Sequence, residues 1–168
     1  MPHSADIEAL KPMIPVFISY VLSFVYVGIY WNNHHHMMSA VKTVNGSILW
    51  KNLHLLFWLS LIPFVTSWMG ENHFAQSPVT IYGFVLFMNA ISYSFLSNSL
   101  IRLHGRESAL GEAVGDGSKG KISVALSVLA IFLSFINPLI GFVLYSVVAV
   151  IWFIPDKRIE KKLTGGDL

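Results

Sequence analysis

Five long apolar runs, near 12–31, 48–69, 79–101, 122–136 and 139–154, fill most of these 168 residues, and Lys and Arg gather in alternate gaps between them. Lys11 precedes the first run, Lys42 and Lys51 fall around the second gap, and residues 70–78 hold no basic residue. Arg102, Arg106, Lys119 and Lys121 then cluster, positions 137–138 have none, and Lys157, Arg158, Lys161 and Lys162 follow the last run. Basic residues beside membrane-spanning segments stay on the cytoplasmic side. The pattern predicts an integral membrane protein with five crossings, its N-terminus outside and its C-terminus cytoplasmic.

Composition points the same way. Hydrophobic residues make up 54% of the chain and charged residues 12%, against about 25% charged in soluble domains; the mean hydropathy is +0.61. Trp50 and Trp68 sit near the two ends of the second run. Their eighteen-residue spacing corresponds to about 27 Å of helix, close to the thickness of a hydrocarbon core. Tryptophans at such a spacing are what an interfacial aromatic belt predicts. The runs are too long and continuous for barrel strands, and only helices and closed barrels satisfy backbone polar groups in lipid. The fold class expected is therefore all-α: one transmembrane domain over 1–168, a helical bundle of five transmembrane helices.

The last two runs are short and meet at Asn137-Pro138. As one continuous helix they would extend about 50 Å, too long for one crossing. Lys121 and Lys157 also fall on the same side by the charge rule, so a hairpin of two spans is expected. A cytoplasmic loop at 102–121, with five glycines and a helical turn around 107–114, and a cytoplasmic tail at 155–168 complete the layout. The net charge of +2 serves orientation and gives no reason to expect nucleic acid. The chain has no cysteine, so disulfides and thiolate metal sites are excluded. Its first residues lack the basic region and small-residue cleavage site of a signal peptide.

Several motifs carry less chemistry than their letters suggest. Gly115-Asp116-Gly117-Ser118-Lys119-Gly120-Lys121 fits both a dinucleotide fingerprint and part of a phosphate loop. Those loops need a preceding strand to aim backbone N–H groups at phosphate, and here a membrane span precedes. His34, His35 and His36 would point about 100° apart on a helix, so they cannot together grip one metal ion. Instead His34 shares a face with Met38, and His35 with Trp31. Ser19, Ser23, Tyr26 and Tyr30 form a helical stripe in the first run, as do Ala90, Ser94 and Asn98 in the third. Small and hydroxyl residues so spaced let membrane helices approach closely. Asn52, His54 and Pro63 in the second run fit either packing or a hydrated path. No Asp, Glu, Lys or Arg lies deep in a run, which argues against a proton-coupled transporter. There is no catalytic constellation, so the chain is expected to be no enzyme and to need no cofactor.

Three segments are informative in combination. The first runs from Ser19-Tyr20-Val21-Leu22-Ser23-Phe24 through Gly28-Ile29-Tyr30-Trp31-Asn32-Asn33-His34-His35. The second runs from Lys51-Asn52-Leu53-His54-Leu55-Leu56 through Leu61-Ile62-Pro63-Phe64. The third runs from Asn137-Pro138 through Trp152-Phe153-Ile154-Pro155-Asp156-Lys157-Arg158. The W-x-x-H element, followed by N-L and L-x-P-F, resembles the prokaryotic transmembrane protein 175 family of potassium channels. Six spans are implied by that resemblance, and the five here would correspond to spans two to six. The family's first helix carries a Phe-Ser-Asp signature and the apolar filter side chains, isoleucine among them, and lines the pore from four subunits. No Phe-Ser-Asp occurs in this sequence, so a subunit shortened at its N-terminus is expected, with no selectivity-filter residue in this chain. The resemblance further implies a leak-type, potassium-selective subunit of a homotetramer in a prokaryotic inner membrane, whose partners are the potassium ion and the lipid bilayer. Conduction would rest on apolar constriction rather than on rings of carbonyls. Carried over residue by residue, Trp31, His34, His35 and Asn52 form a polar network that supports the pore. The alternatives are a non-conducting structural or assembly protein and, less favoured, a small-solute transporter.

Overall fold

A computed structural model of the chain describes residues 7–114 and 117–153; the tail expected at 155–168, with its four basic residues, lies outside the described residues. A 3-10 stretch, Ile7–Met13, runs directly into α1 (Ile14–Ser39). Then follow α2 (Gly46–Glu71), α3 (Gln76–His104), the short α4 (Ala109–Val114), α5 (Ser118–Ser134) and α6 (Pro138–Phe153). By length and composition α1, α2 and α3 can each cross a membrane, whereas α5 and α6 are shorter apolar helices. At 17 and 16 residues, these two are about 25 Å long, against a hydrocarbon core of about 30 Å. The chain is a helical membrane bundle.

The helices outrun the apolar runs because hydropathy marks lipid depth, not where backbone hydrogen bonding stops. α1 continues about two turns past Trp31, carrying His34, His35 and His36 to a polar end at Ser39. α2 starts where Asn45, in extended conformation, accepts the Ile48 N–H on its side chain at 3.0 Å, an N-cap that satisfies one of the helix's free donors. Between α5 and α6, Asn137 Oδ1 accepts from Leu139 N at 2.9 Å and Pro138 opens the new helix. Proline fits the first helical position because the N–H it lacks would be unpaired there. α5 and α6 pack against each other as a hairpin. The turn from α2 to α3 holds His73 at φ 49° and Phe74 at φ 59°, uncommon values for residues with a Cβ. That turn sets the Phe74 ring 5.0 Å from Phe142 of α6.

Neighbouring helices pack α1 on α2, α2 on α3 and α3 on α5 and α6, which places α3 at the centre. One core cluster joins Tyr26, Ile62, Met69, Tyr82, Leu86 and Tyr145, among others. A second, toward the α1–α2 loop, joins Met37, Ile48, Leu55, Leu96, Leu100 and Leu110. Leu110 explains α4. It is buried to 1% exposure in the second cluster, while Ser108 caps the helix by accepting the Gly111 N–H at 3.2 Å. The glycine-rich segment expected as a loop is therefore anchored in part. Of the stripes, Ser19, Ser23 and Tyr26 are buried, Tyr30, Ala90 and Ser94 are partly buried, and Asn98 is exposed.

Pro63 lies inside α2. It has no N–H for the carbonyl four residues back, and its ring loosens that turn. That carbonyl is Leu59 O; on the carbonyl just before it Asn89 of α3 ties the two helices together, its Nδ2 donating to Trp58 O at 3.1 Å and to Val85 O at 2.9 Å. Asn89→Leu should therefore lower the stability of the detergent-solubilised chain by about 1–2 kcal/mol, read from its melting curve. Asn98→Leu, at an exposed position, should leave that curve unmoved, and equal shifts would refute the bracing role.

Candidate functional site

The first three turns of α2 carry polar side chains that reach α1 on one side and α3 on the other. Toward α1, His34 Nε2 and Asn52 Oδ1 lie 2.6 Å apart. With the amide oriented this way the oxygen can only accept, so the imidazole donates from Nε2. Trp31 and His35 form a separate pair, their rings stacked at 5.5 Å on an outer face where Trp31 is 64% exposed. The four residues predicted from sequence thus fall into two pairs on different faces of α1. His36 meets His35 edge-on at 6.1 Å. Among the described residues no three His, Asp or Glu side chains converge as metal ligands.

Toward α3, Lys51 Nζ donates to Ser99 Oγ at 2.5 Å. His54 is held at both ring nitrogens. Ser92 donates its only hydroxyl proton to Met88 O at 2.7 Å, so it accepts from His54 Nδ1 at 3.0 Å. His54 Nε2 then accepts from Trp58 Nε1 at 3.1 Å. These partners select the neutral tautomer protonated at Nδ1.

Behind this seam, a cavity of about 30 Å³ opens between α1, α3, α5 and α6, lined by Tyr30, Asn33, Tyr93, Ser123, Ser127 and Trp152 among others. That is room for about two waters. Tyr93 Oη donates to Asn33 O at 3.4 Å and Trp152 Nε1 to Ser123 Oγ at 2.7 Å. The hydroxyl-bearing side chains therefore face a small interior space.

The glycine motif meets no strand. Gly117, at φ 69°, immediately precedes α5, and the element before it is the helix α4; Gly115 and Asp116 lie outside the described residues. Sequence reasoning left His54 ambiguous and did not single out Ser92 or Ser99. The i, i+4 spacing of His54 and Trp58 was a usable signal, because such residues are neighbours on a helix. Nothing local marks which serine of α3 meets either His54 or Lys51.

Comparison with known proteins settles the family. A potassium channel of Chryseobacterium sp. (strain P1-3) is 54% identical over 163 residues, covering 97% of this chain and 85% of the relative. The chain belongs to the transmembrane protein 175 family. The family described as endosomal/lysosomal potassium channel TMEM175 matches residues 1–63, a stretch that includes the paired residues of α1, as well as Asn52 and His54. A potassium channel of Streptomyces collinus (strain DSM 40733 / Tue 365) is 28% identical over 93 residues, covering 53% of this chain and 45% of the relative. No solved structure matches this member of the transmembrane protein 175 family.

Proposed function

We infer that this chain is a subunit of a potassium channel, passing the ion down its gradient without coupling to a second substrate. The observation that carries this reading is the 54% identity to a potassium channel across 97% of the chain. The membrane helices support it: their middle turns carry no Asp, Glu, Lys or Arg that could serve as a charged relay. The finer reading has five spans, N-terminus outside and C-terminus cytoplasmic, in the inner membrane of a prokaryotic cell. Four copies surround one pore and carry out no enzymatic chemistry. In that arrangement α1 and α2 support the pore, with His34, Asn52, Trp31 and His35 as the bracing groups.

Vesicles loaded with potassium and reconstituted with the purified chain test this directly. Potassium efflux should exceed sodium efflux at equal gradients, by at least tenfold if the pore is selective. Equal leak of both ions would overturn selectivity. A folded, inserted chain with no flux would favour the second reading, a non-conducting assembly partner. Labelling single introduced cysteines in the 70–78 segment and the 155–168 tail from one side checks the orientation. Both reacting from the same side would overturn it.

A further inference from the structure

We propose that the α2–α3 seam at Lys51 and Arg102 is a binding site for the headgroup of an anionic phospholipid. Lys51 stands one residue after Trp50, which is 74% exposed. An exposed tryptophan at a helix end settles at headgroup level, and this fixes the depth of the ammonium beside it. The ammonium is not free to wander. It donates to Ser99 Oγ at 2.5 Å, and Ser99 in turn donates to Phe95 O at 2.8 Å. That leaves two of the ammonium's three protons for an outside acceptor.

Arg102 lies three residues beyond Ser99 on α3, on the neighbouring row of the same helix face, and its side chain is exposed. Neither Lys51 nor Arg102 makes an ion pair among the described residues. Two uncompensated cations thus flank one groove, one a point charge and the other a planar fork suited to two phosphate oxygens. Deeper on the outer side of the same two helices the surface becomes apolar: Phe57 on α2 and Phe95 on α3 are more than half exposed. A ligand that fits must carry a phosphate anion at one end and hydrocarbon at the other. Free phosphate would satisfy the cations only, whereas a phospholipid satisfies both. Basic grooves between membrane helices at headgroup depth recognise lipids in this way.

Native mass spectrometry of the full chain in detergent, titrated with phosphatidylglycerol or phosphatidylcholine, measures the site. Phosphatidylglycerol should bind more tightly, by about fivefold for each cation engaged. Lys51→Gln with Arg102→Gln should bring the two lipids to within twofold of each other. Lys42→Gln with Arg106→Gln removes equal charge elsewhere and should leave the preference intact. The proposal fails if both double variants lose the preference equally, since general attraction would then explain it, or if the wild type shows none. Inorganic phosphate that displaces phosphatidylglycerol at similar concentration would also overturn it, by showing a site that reads the anion alone.

Discussion

Gly83→Ala should destabilise this bundle by about 3 kcal/mol or more. Gly83 lies on α3 against the side chain of Tyr145 from α6. A Cβ there would overlap the tyrosine hydroxyl and ring, with Cε1 at 2.9 Å. Tyr145 cannot swing away, because it is fully buried and its ring packs edge-on against Tyr82 at 5.6 Å. Tyr82 packs in turn on Tyr26 at 5.9 Å, and the Tyr26 hydroxyl donates to the backbone carbonyl of Tyr145. Displacing one ring therefore disturbs α1, α3 and α6 together. Thermal melts in detergent would measure the loss. Gly28→Ala is the control, since a Cβ there meets nothing within 4 Å. Adding Tyr145→Phe should recover part of the loss, because the hydroxyl is the nearest atom and the ring carbons remain. Equal melts for Gly83→Ala and Gly28→Ala would sink the argument.

His34→Ala should cost about 1–3 kcal/mol, since it leaves the half-buried Asn52 amide without the partner it holds at 2.6 Å. His35→Ala should change stability by no more than about 0.5 kcal/mol, because that ring stacks on the outer face against exposed Trp31. Adjacent residues of the same type thus differ in consequence because successive helix positions point about 100° apart. A double-mutant cycle with Asn52→Ala isolates the pair, with a coupling of 0.5 kcal/mol or more expected for groups in contact. If this pair also braces the pore, potassium flux should fall with His34→Ala and persist with His35→Ala. Identical effects of the two would reduce both histidines to interfacial anchors.

Much of the architecture was legible because lipid imposes it locally. Apolar runs marked α1, α2, α3, α5 and α6, and Asn137-Pro138 announced the hairpin through the chemistry of one cap and one imino ring. The burial of Ser19, Ser23 and Tyr26 followed from helical spacing. What could not be read depends on partners distant in sequence. Nothing near Gly83 says that Tyr145, from another helix, lies over it. Nothing near Asn89 says that Trp58 O of α2 is within reach. The same limit applied to the site: the Trp31 and His35 pairing was visible as a shared face, whereas that of His34 with Asn52 depends on how α1 and α2 are set against each other. The burial of Leu110 was invisible for a further reason, since Leu110 and Val114 make a single apolar pair in a glycine-rich stretch, enough for one helical turn but not to say what that turn packs on.

Leu110 also determines how the segment between α3 and α5 behaves in time. Leu110, Val114 packed partly beside it and the Ser108 cap tie α4 to the bundle, so lifting α4 away means exposing these two side chains, about 2–4 kcal/mol. An equilibrium of that size leaves the lifted form populated at about 0.1–3 per cent. The membrane helices enclose far larger buried surfaces and would hardly open over the same period. α4 is therefore a clasp, shut in nearly every molecule at a given moment, and its release bares the floor of the second core cluster, formed by Met37, Ile48 and Leu100.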